Sequence, residues 1–325
     1  MCSSDLADIR RAHGGAAARG NAGRSRSRTA RAVSHHREEL LTVLVAFDLL
    51  EPYQFAFFRH GVVVGTLAGA LCGLLGVFVV LRGMSYIGHG LSHAVFGGAA
   101  ASAVIGVNFF LGAGLWGIAS GVLIGRIARR RIIGADAAIG VVTTASFAVG
   151  LALLNRYGQA QKSIEAVLFG SVLGVRPGDV VAVAIVLAAV VAVVTLWYRT
   201  FLFATFDPEV ADVSGVRVPR VEAALMVMLS MTILVTMRVI GTLLISALLV
   251  IPASVARMLT NSFARMLWIA PLVGAFSAFM GMNLSYWLDT SSSATIILVA
   301  AITFVAVYAV TGLRGRARIG ALHHI

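Results

Sequence analysis

Charge is what this chain has least of. Asp, Glu, Lys and Arg together make up 12% of its 325 residues, about half the ~25% usual in a soluble globular domain. So few charges cannot clothe an ordinary water-facing surface, which excludes a soluble globular protein. Cysteine is nearly missing: Cys2 lies in a polar tail and Cys72 in an apolar run, so a disulfide framework is not expected. The first 40 residues hold no apolar stretch of the kind that opens a signal peptide, and no cleaved leader is expected. Neither the phosphate-cradling G-x-x-x-x-G-K-[ST] loop nor the zinc-peptidase H-E-x-x-H motif occurs. These absences leave the chain without the usual equipment for hydrolysing ATP or peptides.

Apolar residues fill the space left by charge. They make up 59% of the chain, and the mean hydropathy is +0.91. Runs of about 20 apolar residues, the length that crosses a ~30 Å hydrocarbon core, recur from Gly61 onward. The fold expected is an all-α polytopic membrane protein, a bundle of 8–9 spans. Nine candidates fall at 57–81, 90–110, 112–128, 136–154, 178–198, 221–237, 239–258, 266–286 and 293–312. Residues 163–174 are too short to cross and suit a surface-packed or re-entrant helix. Residues 1–44 form a basic tail too polar to bury a core, so disorder is expected there. The run at 41–56 is interrupted by Asp48, Glu51 and Pro52 and reads as a short interfacial helix. The membrane domain is thus 45–313, followed by a second basic tail at 314–325.

From Pro52 onward 18 Lys and Arg face 8 Asp and Glu. The cations gather at segment ends, as the positive-inside rule requires, and are not interleaved with aromatics as in a nucleic-acid groove. No nucleic-acid partner is expected. Alternating the spans puts Arg82, the cluster Arg126, Arg129, Arg130 and Arg131, then Arg199, Arg217, Arg220, Arg257, Arg265, Arg314, Arg316 and Arg318 on one side. That side is read as cytoplasmic, with the C-terminus inside and the N-terminus outside. Arg156, Lys162, Arg176 and Arg238 are the exceptions. Glycines recur every four residues at Gly61, Gly65, Gly69 and Gly73, and again at Gly117, Gly121 and Gly125. Such stripes let helices approach closely in lipid.

Histidine is absent between His60 and His323 except at His89 and His93. In a helix starting near Gly88, residues four apart share a face, as two ligands of one metal must. Imidazole suits zinc, copper, iron and nickel, and ionisable groups inside spans usually face a cavity or pathway. A snorkelling His89 and a hydrogen-bonded His93 would account for the pair equally well. Asp136, at the mouth of the fourth span, reads either as an N-cap or as an oxygen ligand beside the imidazoles. Thr143, Thr144 and Ser146 on the same span are expected to hydrogen-bond across helices.

The loop at 206–220 carries a helix of its own. Asp207 is placed as N-cap, Pro208 at the first helical position, Glu209 in the first turn and Gly215 as the stop. Pro252, inside the span at 239–258, breaks one backbone hydrogen bond and marks either a hinge in a gate or a fixed kink.

Five motifs, in order, resemble the membrane permease subunits of the ABC-3 family of metal-uptake ABC transporters. They are G-L-L-G-V-F-V-V-L-R-G-M-S-Y-I-G-H-G-L-S-H-A (Gly73–Ala94), G-A-D-A-A-I-G-V (Gly134–Val141), E-A-V-L-F-G-S-V-L-G-V (Glu165–Val175), F-D-P-E-V-A-D-V-S-G-V (Phe206–Val216) and V-I-G-T-L-L-I-S-A-L-L-V-I-P-A-S-V-A-R (Val239–Arg257). The resemblance spans Leu49 to Leu313. It implies a type II importer-like permease in the cytoplasmic membrane, itself non-catalytic and without a permanent cofactor. It further implies a homodimer, an ATP-binding partner that docks on the 206–220 loop, and an extracytoplasmic protein that delivers zinc, manganese or iron(II). Two departures stand out. The family usually has Asp where this chain has His89, and often Leu-Pro-Gly where it has Phe96-Gly97-Gly98. A second imidazole keeps a ligand but tilts the site from manganese toward zinc. The alternatives are a permease for a metal chelate such as cobalamin or a siderophore, a self-contained secondary transporter, and a membrane metalloenzyme. Against a proton-coupled carrier, no carboxylate sits near the centre of any span.

Overall fold

Every span expected from the sequence is a helix. The structure, a computed structural model, describes residues 51–129, 133–157 and 174–322. The chain divides into two compact units, Met1–Pro52 and Tyr53–Ile325, and the described residues belong almost wholly to the second. The basic tail at 1–44, most of the 41–56 run and all but the last residue of the 163–174 segment lie outside the described residues.

After a short 3-10 turn at Glu51–Gln54, eleven helices follow in order among the described residues. They are α1 (Ala56–Leu81), α2 (Ile87–Ile105), α3 (Phe109–Arg129), α4 (Ala135–Tyr157), α5 (Pro177–Leu196), α6 (Tyr198–Phe206), α7 (Pro208–Val213), α8 (Val218–Ile240), α9 (Thr242–Leu259), α10 (Phe263–Trp287) and α11 (Ser292–Leu322). No strand occurs among the described residues. The chain is an all-α polytopic membrane protein, and seven of its helices are long and apolar enough to cross a bilayer on their own. Of the two expected spans outside that set, α9 counts as a shorter apolar helix, Leu244–Leu259, and α2 has a physical reason to be less greasy. Most of α2 is buried, as are Leu244, Ile245, Leu248, Leu249, Ala253 and Ala256 of α9. A helix sheathed by protein need not satisfy lipid.

The glycine stripes are contact surfaces, as the sequence spacing predicts. A Cβ on Gly69 would lie 2.4 Å from the Gly274 carbonyl oxygen, and one on Gly73 2.4 Å from that of Ala270, so α1 and α10 meet backbone to backbone. Gly76 brings α1 equally close to Leu249 of α9. Gly97 does the same for α2 against Ser146 and Gly150 of α4. Buried hydroxyls are silenced within their own helices: Ser92, Ser102, Ser230 and Thr236 each donate to the carbonyl four residues back, at 2.7–2.8 Å.

Boundaries differ from expectation in two places. Arg238 is not in a loop, because α8 runs on to Ile240, and the break comes at Gly241, whose φ of 82° is open to glycine. Ser293 Oγ donates to the Ile240 carbonyl at that break, at 3.0 Å. The expected C-terminal tail continues α11 as far as Leu322.

Candidate metal-binding cavity

Helix α1 ends in a Schellman turn, with Gly83 at φ 67°, the Met84 N–H on the Val79 carbonyl at 3.0 Å and the Gly83 N–H on that of Val80 at 3.1 Å. The chain re-enters helix at Ile87, so His89 and His93 do share one face of α2. Their Nε2 atoms lie 3.2 Å apart and the rings are 81° from coplanar. Two nitrogens each ~2.0–2.1 Å from one tetrahedral ion would lie about 3.3 Å apart. His93 Nδ1 is buried and makes no hydrogen bond among the described residues. The Phe147 ring stands edge-on to His93, with centroids 5.1 Å apart.

The imidazoles border a cavity of about 550 Å³ between the first halves of α2 and α4, lined also by Tyr86, Gly90, Asp136, Ile139, Gly140, Thr143, Thr144 and Phe147. Asp136 is exposed and sits in the first turn of α4, not at its N-cap. It shares the cavity with the histidines, but among the described residues no three His, Cys, Asp or Glu side chains converge as an ion-holding group. Of the hydroxyls expected to bond across helices, Ser146 faces Ser120 of α3 at 3.4 Å. Thr143 instead donates to its own helix, at Ile139, 2.7 Å away, and Thr144 lines the cavity. The cavity floor exists because Gly90 lacks a side chain: a Cβ there would lie 2.6 Å from Ile139 and 2.8 Å from Thr143.

A second polar cluster lies at the arginine-rich end. Asp207 caps α7, its Oδ1 accepting from the Val210 N–H at 2.9 Å, with Pro208 at the first helical position and Glu209 in the first turn. Gly215, at φ 85°, closes a Schellman turn: its N–H meets the Asp212 carbonyl and that of Val216 meets Ala211, both at 3.0 Å. The loop helix thus starts and stops where its residues dictate. Val210 and Val213 leave an apolar face exposed, Val213 at 92%. Behind α7 opens a cavity of about 860 Å³ whose walls include Arg82, Arg129, Thr205, Glu209, Asp212 and Glu222. Glu222 accepts from Arg129 at 2.5 Å and lies 4.0 Å from Arg82, which also donates to the Ala204 carbonyl at 3.3 Å. Burial pulls the Arg82 guanidinium below its ordinary pKa, and the nearby Glu222 carboxylate opposes that. The sequence reading missed this cluster; the one signal for it was a lone Glu in the first turns of an otherwise apolar span.

Pro252 lies buried inside α9, near the crossing where Gly274 of α10 meets Gly69 of α1.

The family model of the ABC 3 transport family matches residues 54–311. The manganese transport system membrane protein MntC of Listeria monocytogenes is 36% identical over 251 residues, 77% of this chain and 89% of the relative. A probable iron transport system membrane protein of Haemophilus influenzae is 34% identical over 271 residues, 83% of this chain and 100% of the relative. Among solved structures, PsaBC from Streptococcus pneumoniae in complex with Fab superposes with a TM-score of 0.72 at 30% identity, covering 80% of this chain and 94% of that one.

Proposed function

The chain belongs to the ABC 3 transport family, and from that premise we propose that it is the permease of a divalent-metal importer whose cargo passes His89 and His93. Two copies would enclose the path, with the α2–α4 cavities facing the shared axis. The arginine-rich end would face the cytoplasm. There the exposed Val210 and Val213 of α7 would seat in a groove on a separate ATP-hydrolysing subunit, and an extracytoplasmic protein would bring the metal to the other end. The chain itself makes and breaks no covalent bond; ATP binding and hydrolysis by the partner would switch the access of the cavity.

The observation that carries this reading is the imidazole pair, 3.2 Å apart at Nε2 and bordering a cavity that Asp136 also lines. A cation entering between the rings would displace the one proton they share. Asp136 would supply negative charge near the path without being a fixed ligand. Such an incomplete site suits transit, because a full set of four ligands would hold the ion too firmly to release it. Relatives named for manganese and iron support a first-row divalent ion as the cargo class. Two nitrogens where oxygen is the softer-metal-averse choice tilt the preference toward zinc. Pro252 would then serve as a hinge beside the central helix crossing.

The test is uptake into proteoliposomes that hold the permease with its ATPase, with zinc and manganese competing. Zinc is expected to suppress manganese uptake at lower concentration than the reverse, and both should require ATP. His93→Ala should lower uptake while the ATPase still copurifies. Parental uptake by His93→Ala would remove the imidazoles from the path, and manganese outcompeting zinc would overturn the assigned preference.

A further inference from the structure

The cluster behind α7 joins two stiff corners of the chain. One is the α7–α8 corner, locked by the Schellman turn at Gly215 and by the Val218 N–H on the Val216 carbonyl at 2.8 Å. Glu222 follows in the opening turns of α8. The other is the α1–α2 corner, locked by the Schellman turn at Gly83 and by the Ile87 N–H on the Met84 carbonyl at 2.9 Å. Arg82 caps α1 at that corner, and His89 lies in the first turn of the helix that follows. Arg129, the last residue of α3, leads toward α4 and Asp136.

Helix α8 packs along α1, α2 and α3, but α7 itself meets the ends of α1 and α3 with little packing to carry force. Helix α7 rests on α6 and α8, and the space that separates it from the ends of α1 and α3 is the cavity of about 860 Å³. Across it runs a single carboxylate with two guanidiniums. The sharing is unequal, with Arg129 at 2.5 Å and Arg82 at 4.0 Å. Arg82 Nε and Thr205 Oγ1 are buried there without hydrogen bonds, so donors for a second arrangement, with Arg82 as the close partner, are already in place. The Arg82 side chain is 9% exposed and that of Glu222 21%, which shields the link from screening.

We propose that Glu222 is a positioning residue that ties the α7–α8 corner to α2 and α4, delivering displacement of α7 to the helices that bear His89 and Asp136. It touches neither metal nor nucleotide. It acts by moving from Arg129 toward Arg82 as α7 shifts, which pulls on the α1–α2 corner and slackens the hold on α3. This rests on the reading that α7 meets the ATPase.

The experiment uses the permease–ATPase complex in proteoliposomes, with manganese(II) and then zinc(II) as probes, and reads metal taken up per ATP hydrolysed. Glu222→Gln is expected to lower that ratio at least ~10-fold, the size of a coupling worth one or two hydrogen-bonded charges. The ATPase should still copurify and hydrolyse ATP. Glu222→Asp, which keeps the carboxylate, should recover most of the ratio. Should Glu222→Gln fail to fold, the pair Arg82→Met with Glu222→Leu removes both charges and leaves no buried ion alone; it too should assemble and be uncoupled. A parental ratio in either folded variant overturns the proposal. Val213→Arg tests the docking alone: ATPase that still copurifies with it counts against the α7 reading, whatever Glu222 does.

Discussion

Seven positions separate Arg82 from His89 and Arg129 from Asp136, so the two polar clusters share two corners of the chain, yet they are built on opposite rules. Around Glu222 the charges answer one another: a carboxylate bridges two guanidiniums, and a backbone carbonyl takes a further proton of Arg82. Around His93 little is answered. The two imidazoles share one hydrogen-bond contact, His93 Nδ1 has no partner among the described residues, and Asp136 stands on the cavity wall without joining them. A charge-balanced cluster stabilises and positions even with Arg82 Nε left over; an imidazole pair that no carboxylate joins, facing a cavity, has coordination left to give. The pair of sites therefore teaches where to look for stability and where to look for transport in a chain so poor in charge.

Substitutions should separate the two. The largest stability loss is expected at Glu222→Ala, which leaves Arg82 buried without its counter-charge. Breaking a fully buried pair costs ~3–5 kcal/mol; with the Arg129 side chain 34% exposed, about 2 kcal/mol is the reasonable figure here. It would appear as a lower midpoint for thermal unfolding in detergent. His93→Ala should move that midpoint less, since it deletes a half-buried ring whose partners are the His89 imidazole and the edge of Phe147, while uptake falls by about tenfold or more. A His93→Ala protein as unstable as Glu222→Ala would erase the distinction. Between these extremes, excess zinc should raise the midpoint of the parent by mass action, RT ln(1 + [L]/Kd). That shift should vanish in His89→Ala, because one imidazole cannot share an ion with itself. A zinc shift that survives there would place the ion elsewhere.

How much of this was legible in the sequence follows the physics of each feature. Membrane spans are written in composition, and all nine expected ones are helices. The α7 helix was legible to the residue, because Asp207, Pro208 and Gly215 act through their own backbone neighbours. The histidine pair was legible for the same reason, being an i,i+4 relation within one helix. What failed to show were relations across the chain. Asp136 was readable as either a cap or an oxygen ligand beside the imidazoles, and only the packing of α4 on α2 shows that it lines the histidines' cavity. Thr143 satisfies itself within its helix where an interhelical bond was expected. The Glu222 cluster joins positions 82, 129 and 222, separations at which no periodicity speaks. In the sequence the break at Gly241 reads three residues early, at Arg238, because a one-residue break between two apolar helices leaves hydropathy unchanged.

The smallest expected effect is also the one that best defines the cavity. Asp136 is exposed in the first turn of α4, where a negative charge complements the helix dipole by ~0.3–1 kcal/mol. Asp136→Asn should therefore cost a few tenths of a kcal/mol in stability by that route. Its effect on transport depends on what the carboxylate does. If it only raises the local cation concentration, uptake should fall a few-fold, and the loss should shrink as salt is raised, because exposed charges are screened within ~8–10 Å. If instead it binds the ion directly at some stage of the cycle, the loss should approach that of His93→Ala and be indifferent to salt. The absence of a three-ligand group in the cavity favours the first outcome, so a salt-insensitive tenfold loss would show that α4 must close on α2 during transport.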